Sequence, residues 1–327
     1  MLRVRVTGTG AFLPERRLTN ENLAHMVDTS DEWIRSRTGI RERRLLDDGA
    51  AAADMGVRAG QAALAAARRE PGEVDLLLVA TNVPERIIPG SAPYVAAGLG
   101  LEHDAPFFDL KAGCAGFVYG VAVAGGYLEA GLARSALVIG VEALSRIVDW
   151  EDRRTCVLFG DGAGAALLEP SSGEAAILGV ALYGDPSKAH LLTIEAGGVG
   201  LPTSAETVRR KQHYLKMEGE GVFRTAVPMM EQATREALRR SGLSPGDVDW
   251  LIPHQANLRI INPLARRLSI PRERVVVNID RAANTSTASI PIALDELVRA
   301  GRLRAGQVVA MTAFGAGACY GTAIIKW

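Results

Sequence analysis

The chain repeats itself, and the repeat limits what it can fold into. The segment EVDLLLVATNV at 73–83, which follows a Pro-Gly turn, has a counterpart in DVDWLIPHQAN at 247–257, which runs on from the turn SPGD. FGDGAGAALLEP at 159–170 is matched by FGAGACYGTAIIKW at 314–327, each a Gly-rich turn ahead of an apolar strand. Two copies of a unit of about 160 residues follow, dividing the chain into 1–170 and 171–327 with the boundary at 171–173. Within each copy, short β-rich apolar runs alternate with Ala-rich helical ones, the pattern of α/β layering. Strands are predicted over 74–80, 136–141, 248–252 and 275–277, and helices over 54–69, 115–130, 223–241 and 290–301. Gly72, Gly131, Gly242 and Gly301 punctuate their ends. Two sheet-bearing halves pack against each other, and sites form where such halves meet.

Composition narrows the function. With 37 basic and 37 acidic residues the formal net charge is zero, which leaves no broad positive surface for nucleic acid. The cysteines, Cys114, Cys156 and Cys319, are too few and scattered for a disulfide framework, and no Cys or His pair has metal-ligand spacing. A reducing, cytoplasmic setting is the simplest expectation. The start, MLRVRVTGTGAFLPERR, has no long apolar run and predicts no signal peptide. Two uncharged stretches, 112–128 and 308–325, are dense in Gly and Ala. They stop short of the about 20 apolar residues a membrane helix needs, so both are expected to be buried core.

Cys114 lies in FDLKAGCAGFVYG, where a strand ending at Leu110 turns tightly into an uncharged helix. A thiol there sits at a helix N-terminus, whose dipole and free N–H groups favour the thiolate. A small buried cysteine filling space is the alternative. His254 follows the strand of WLIPHQAN, at the carboxyl end where ligands gather in α/β folds. Asn284 opens a Ser/Thr-rich loop ahead of a helix, in DRAANTSTASIP. Taken singly, the histidine reads as a structural one and the asparagine as a cap. Three such residues at three strand-to-loop transitions read better as one site. Gly160, Gly162 and Gly164 precede a strand rather than a helix and so read as turn glycines, not a nucleotide loop. Cys156 and Cys319 read as packing.

The motifs DEWIRSRTGIRER at 31–43, FDLKAGCAGFVYG at 108–120, LFGDGAGAALLEP at 158–170, DVDWLIPHQANLRII at 247–261 and ANTSTASIPIAL at 283–294 run nearly end to end. In them the chain resembles the β-ketoacyl-acyl-carrier-protein synthase III family, which initiates bacterial type II fatty-acid synthesis. The resemblance implies an α/β thiolase-like fold, two duplicated βαβαβαββ halves giving a layered α-β-α-β-α sandwich. It implies catalysis by Cys114, His254 and Asn284, with an oxyanion hole formed by the N–H groups of Cys114 and Ala316. Acyl-CoA would be bound by Trp33, Arg37, Arg153, Met217, Gly219, Phe223 and Asn257, and Ile88 would shape the primer pocket. Arg224, Arg259, Arg266 and Arg267 would form the docking patch for an acidic acyl carrier protein. The substrates implied are an acyl-CoA and malonyl-acyl carrier protein. No metal or redox cofactor and no membrane are implied, and the assembly is a homodimer in which a loop of one subunit shapes the other's primer pocket.

The chain departs from the family at several points. Lys111-Ala112-Gly113-Cys114 replaces the usual AAC, Ala283 stands where Gly is common, Gly221 where an acid is usual, and Pro93 is unusual near Ile88. No catalytic group is lost, but primer length and branching are left open. A ketosynthase III-like enzyme of a specialised pathway is therefore the main alternative. A 3-hydroxy-3-methylglutaryl-CoA synthase needs a glutamate acid before the nucleophile, and Glu85 stands in the wrong context. A non-catalytic scaffold would have lost the nucleophile, and Cys114 is present.

Overall fold

The computed structural model describes residues 2–101 and 104–327. In the first half the main elements are β1 (Val4–Phe12), α1 (Asp31–Thr38), α2 (Ala52–Ala67), β2 (Leu76–Ala80), α3 (Ala92–Leu99), β3 (Phe107–Leu110), α4 (Gly116–Glu129), β4 (Ala136–Ala143) and β5 (Asp161–Pro170). The second half contains β6 (Ala176–Gly184), α5 (Gly219–Arg240), β7 (Trp250–Pro253), α6 (Leu258–Arg267), α7 (Ser289–Arg299), β8 (Val308–Phe314) and β9 (Cys319–Lys326).

The first sheet has the order β1-β5-β4-β2-β3, with β2 parallel to both neighbours and β5 antiparallel to both of its own. The second has the order β6-β9-β8-β7, with β7 parallel to β8 and β9 antiparallel to both neighbours. Strand for strand, β6, β9, β8 and β7 occupy the places of β1, β5, β4 and β2. The place of β3 falls to the strand predicted over 275–277, which the structure reduces to a single parallel bridge, Val275 to Leu251. The chain arrives there from the turn Arg272–Arg274 and leaves at once into the short helix Ile279–Ala282, so no ladder can extend.

Every residue of β2 and β4 is buried. Their unbroken apolar runs fit strands covered by helices on both faces. α4 and α7 are the middle layer: Phe117, Val118 and Val121 of α4 share one core with Ile290 and Leu294 of α7, Val138 of the first sheet, and Val309 and Ile325 of the second. α2 and α3 cover the outer face of the first sheet, and α5 and α6 that of the second. This is an α-β-α-β-α sandwich of the thiolase type. The two uncharged stretches are the turn and body of α4 and the β8–β9 hairpin. Among the described residues no helix is long and apolar enough to cross a membrane.

Gly162 and Gly164 lie inside β5 rather than in a turn. A side chain on Gly164 would strike the backbone of Pro291 and Ile292. Close approach of α7 to the sheet, not turn geometry, is what demands glycine there.

Candidate active site

From the end of β3 the chain turns through Ala112, Gly113 and Cys114 before α4 begins at Gly116. Gly113 takes φ +57°, in the left-handed region that favours glycine. Its backbone lies against that of Gly315 and Ala316 in the turn after β8, and a side chain on Gly113 or Gly315 would collide with the other turn. The two halves of the chain therefore touch at Cys114. The backbone N–H groups of Cys114 and Ala316 both reach the Cys114 sulfur. The sequence predicts a thiol held low by the helix N-terminus, and here the structure differs. Burial pushes the thiol up to about 12, opposed by the Ser286 hydroxyl and reinforced by the Glu142 carboxylate. With Cys114 only 8% exposed, lost hydration outweighs the hydrogen bonds from Ser286 and from the N–H groups of Cys114 and Ala316. The resting group is the thiol.

His254 follows β7, and its N–H bonds to the Thr312 carbonyl of β8 at 2.8 Å. Burial pushes its pKa down to about 3, so the ring is neutral. Nδ1 lies 2.7 Å from the hydroxyl of Ser289, the first residue of α7, which also accepts the Gln255 N–H at 3.3 Å. Among the described residues that hydroxyl meets no other acceptor, so its proton goes to Nδ1 and the ring proton sits on Nε2.

Asn284 is fixed by backbone bonds to the segment before β5. Its N–H donates to the Leu158 carbonyl and its carbonyl accepts from Gly160, each at 3.0 Å. Its Oδ1 accepts the Ser286 N–H at 2.8 Å, which leaves the Nδ2 donors to the pocket. Behind this segment the buried Arg43 donates to the Val157 carbonyl at 2.9 Å and to Leu18 and Asn20 at 3.0 Å. Burial lowers its pKa to about 10, which still leaves it a cation at neutral pH.

Ala283, the residue before Asn284, sits at φ 57° and ψ −159°, a conformation proper to glycine. Ala283→Gly is expected to relieve this strain and, after the entropy gained by the unfolded chain, to stabilise the protein by about 1 kcal/mol. Urea unfolding monitored by circular dichroism measures it. A lower midpoint would show that the buried methyl contributes more packing than strain.

Cys114, His254 and Asn284 open into one pocket of about 90 Å³, whose walls include Met217, Gly219, Phe223 and Asn257. Elsewhere on the surface, Arg37 and Arg153 both stack on Trp33, at 4.6 and 5.2 Å from its ring centroid. A planar group entering beside Trp33 must displace one of them. Arg259 and Arg266 line a cleft with Arg37 and with Arg35, which the sequence reading missed. Arg267 instead bonds Glu231 at 2.9 Å, and Arg224 lies 3.6 Å from Glu220. Neither lines that cleft. Ile88 is 84% exposed and does not line the Cys114 pocket of its own chain. Cys156 is fully buried, and the half-buried Cys319 faces the Tyr119 hydroxyl. Among the described residues no cluster of His, Cys, Asp or Glu is arranged to hold a metal ion. Sequence reasoning also missed Ser286, Ser289, Glu142 and Arg43, whose roles depend on hydrogen bonds closed only in the folded chain.

Duplicated halves, a cysteine on the first, and an imidazole and a carboxamide from the second define a thiolase-like condensing enzyme. The model of 3-oxoacyl-[acyl-carrier-protein (ACP)] synthase III matches residues 108–186, and the model of that enzyme's C-terminal part matches 238–327. The β-ketoacyl-[acyl-carrier-protein] synthase III of Symbiobacterium thermophilum is 49% identical over 325 residues, covering 99% of this chain and 98% of the relative. The crystal structure of 3-oxoacyl-[acyl-carrier-protein] synthase III from Aquifex aeolicus matches with a TM-score of 0.91 at 42% identity, covering 99% of this chain and 100% of that one. The priming β-ketosynthase of the R1128 polyketide pathway matches with a TM-score of 0.90 at 37% identity, covering 99% and 96%. The chain belongs to the 3-oxoacyl-[acyl-carrier-protein] synthase III family of acyl-transferring condensing enzymes.

Proposed function

We propose that the chain initiates type II fatty-acid synthesis by decarboxylative Claisen condensation of an acyl-CoA primer with malonyl-acyl carrier protein. One observation carries the reading: the Cys114 thiol shares a single pocket with two neutral donors, His254 Nε2–H and Asn284 Nδ2–H. The Cys114 sulfur attacks the primer thioester, and the N–H groups of Cys114 and Ala316 hold the oxyanion that forms. The malonyl thioester then loses CO2, and its carbonyl oxygen, now an enolate, is held by His254 and Asn284. The carbanion attacks the acyl-enzyme and forms the carbon–carbon bond. The chain's own groups serve every step, so no metal or redox cofactor is part of the reading.

The pocket walls Met217, Gly219, Phe223 and Asn257 suit a pantetheine arm. Trp33, Arg37 and Arg153 suit the CoA nucleotide once a guanidinium has moved aside. The cleft of Arg35, Arg37, Arg259 and Arg266 has no carboxylate in its lining and suits an acidic carrier protein; Arg224 and Arg267, each beside a glutamate, are not part of that lining. β3 is a sheet edge beside exposed Phe107, Ile87 and Ile88, a combination that supports a homodimer through this edge. Ile88 would then reach the partner's primer pocket. The matching strand orders support 1–170 and 171–327 as the two duplicated halves. A cytoplasmic location follows from the substrates proposed.

Intact-protein mass spectrometry with a panel of acyl-CoAs, followed by malonyl-carrier protein, tests the reading. Acetyl transfer followed by a 3-oxoacyl-carrier product is expected. Labelling by long or branched primers alone would assign a specialised pathway, and labelling by none would overturn the reading. In the same assay Arg259→Glu is expected to raise KM for malonyl-carrier protein about tenfold, one lost charge contact, while acylation by acyl-CoA keeps its rate. Equal losses in both steps would remove Arg259 from the docking surface.

A further inference from the structure

Ser286 and Glu142 lie behind the nucleophile and take no part in the steps above. Ser286 Oγ is 3.3 Å from Cys114 Sγ, 3.0 Å from Glu142 Oε1 and 3.2 Å from Asn82 Nδ2. A hydroxyl has one proton to give and two lone pairs to offer. The Asn82 amide nitrogen can only donate, and an ionised carboxylate can only accept. While the thiol keeps its proton, the Ser286 proton goes to Glu142 and its remaining lone pair faces the Cys114 S–H; once the sulfur has given its proton up, the hydroxyl donates to the sulfur. Ser286 itself is held at φ +49°, unusual for a residue other than glycine, by its N–H bond to Asn284.

Glu142 is fully buried on β4. Its oxygens accept the Asn82 N–H at 3.1 Å, the Asn82 Nδ2 at 2.6 Å, the Val83 N–H at 3.3 Å and the Thr81 hydroxyl at 3.4 Å. None of these partners is a cation, and a buried carboxylate without one is costly to keep. Such a group one hydroxyl away from a buried thiol needs a purpose. His254 cannot supply the missing base, because its Nε2 already carries a proton.

We propose that Glu142, acting through Ser286, accepts the proton of Cys114 and so makes its sulfur a nucleophile, an inference that rests on the acyl-transfer reading of Cys114. As the sulfur bonds to the thioester carbon, the S–H proton passes to Ser286 and the Ser286 proton to Glu142. The carbonyl electron pair moves onto the oxygen. Collapse of the intermediate breaks the bond to CoA, whose thiolate takes a proton from solvent. When condensation later expels the Cys114 sulfur, the proton returns by the same route and Glu142 is again a carboxylate. No free thiolate accumulates, in keeping with a buried resting thiol.

Burial raises Glu142 to about 7 against its hydrogen bonds. The groups that face it are Thr81 and Asn82 from the loop after β2, Ser286 from the loop before α7, and Cys114. Asp161 of β5 is turned to Leu46 and Ser145, and Asp109 of β3 to the N–H groups of Ser91 and Ala92. The base form exists above the pKa, so nucleophile reactivity is lost as pH falls through it.

Iodoacetamide alkylation of the Cys114 peptide, followed by mass spectrometry against pH, needs no acyl-CoA, so its outcome is separate from that of the condensation reading. In the wild-type protein the rate is expected to rise through an inflection near the Glu142 value of about 7 and then level. In Glu142→Gln the inflection disappears and the neutral-pH rate falls about 100-fold, with acylation by acetyl-CoA falling in parallel. Ser286→Ala, which removes only the bridging hydroxyl, gives the same two changes and decides the matter if Gln at position 142 prevents folding. Equal or faster alkylation in these variants would show that the carboxylate merely restrains the thiol, and would overturn the proposal. A slower rate with the inflection kept would overturn it too.

Discussion

Cys114→Ala is expected to form no acyl-enzyme and to lose condensation by at least about 10⁴-fold, while still releasing CO2 from malonyl-carrier protein. Attack on the primer requires the Cys114 sulfur, and no other thiol in the structure is placed to substitute. Cys156 is sealed in the core, and Cys319 faces the Tyr119 hydroxyl. Decarboxylation has a different need, a donor pair for the enolate oxygen. That pair remains, because His254 is fixed by Ser289 and Asn284 by Leu158, Gly160 and Ser286, none of which depends on the sulfur. The substitution removes one atom from a turn whose backbone is locked against Gly315, so the fold is expected to survive. Intact mass after acetyl-CoA treatment, paired with CO2 release from labelled malonyl-carrier protein, measures both halves. An acetyl adduct persisting in the variant would place the nucleophile elsewhere.

What the sequence disclosed about this site, and what it hid, follows from how far each property depends on assembly. The thiol and the imidazole stand at strand-to-loop transitions, which local pattern finds; the carboxamide instead follows the short helix Ile279–Ala282, and the predicted strand-to-loop transition is not there. The resemblance put Arg259 and Arg266 in one docking patch, and both line one cleft. Local pattern could not place Arg35 beside them, since α1 meets α6 only in the folded chain. Glu142 is the clearest loss. It sits inside ALVIGVEA, which reads as a buried strand, and the partners that give it meaning are Asn82 and Ser286, remote in sequence. The thiol's acidity went astray for a related reason: a helix N-terminus is visible in a sequence, but the depth of burial that raises the thiol is not. The strand predicted over 275–277 has the composition of a strand but lacks the length of free chain to extend one. Ala283 shows the reverse case. Its departure from the common glycine is plain in the sequence, and only the backbone angle says what that departure costs.

Removing the donor pair should divide the reaction the other way. His254→Ala and Asn284→Ala are each expected to slow decarboxylation and condensation by roughly 10²- to 10³-fold, the loss typical of one oxyanion donor. Acylation of Cys114 by acetyl-CoA should stay within a few-fold of the wild type, because its oxyanion uses the N–H groups of Cys114 and Ala316. The double variant should lose less than the product of the single losses, since the two donors serve one oxygen. Burial pushes His254 down to about 3, so the ring is neutral across the neutral range. A histidine working as an acid would make the step fail as pH rises through its pKa. A neutral donor with so low a pKa leaves no such limb, and decarboxylation is expected to be flat with respect to His254 across the neutral range. Single-turnover CO2 release from malonyl-carrier protein, measured apart from acylation, distinguishes these cases. An acid-dependent limb that vanishes in His254→Ala would mean that the imidazole is charged in the working enzyme and that the Ser289 bond does not set its tautomer.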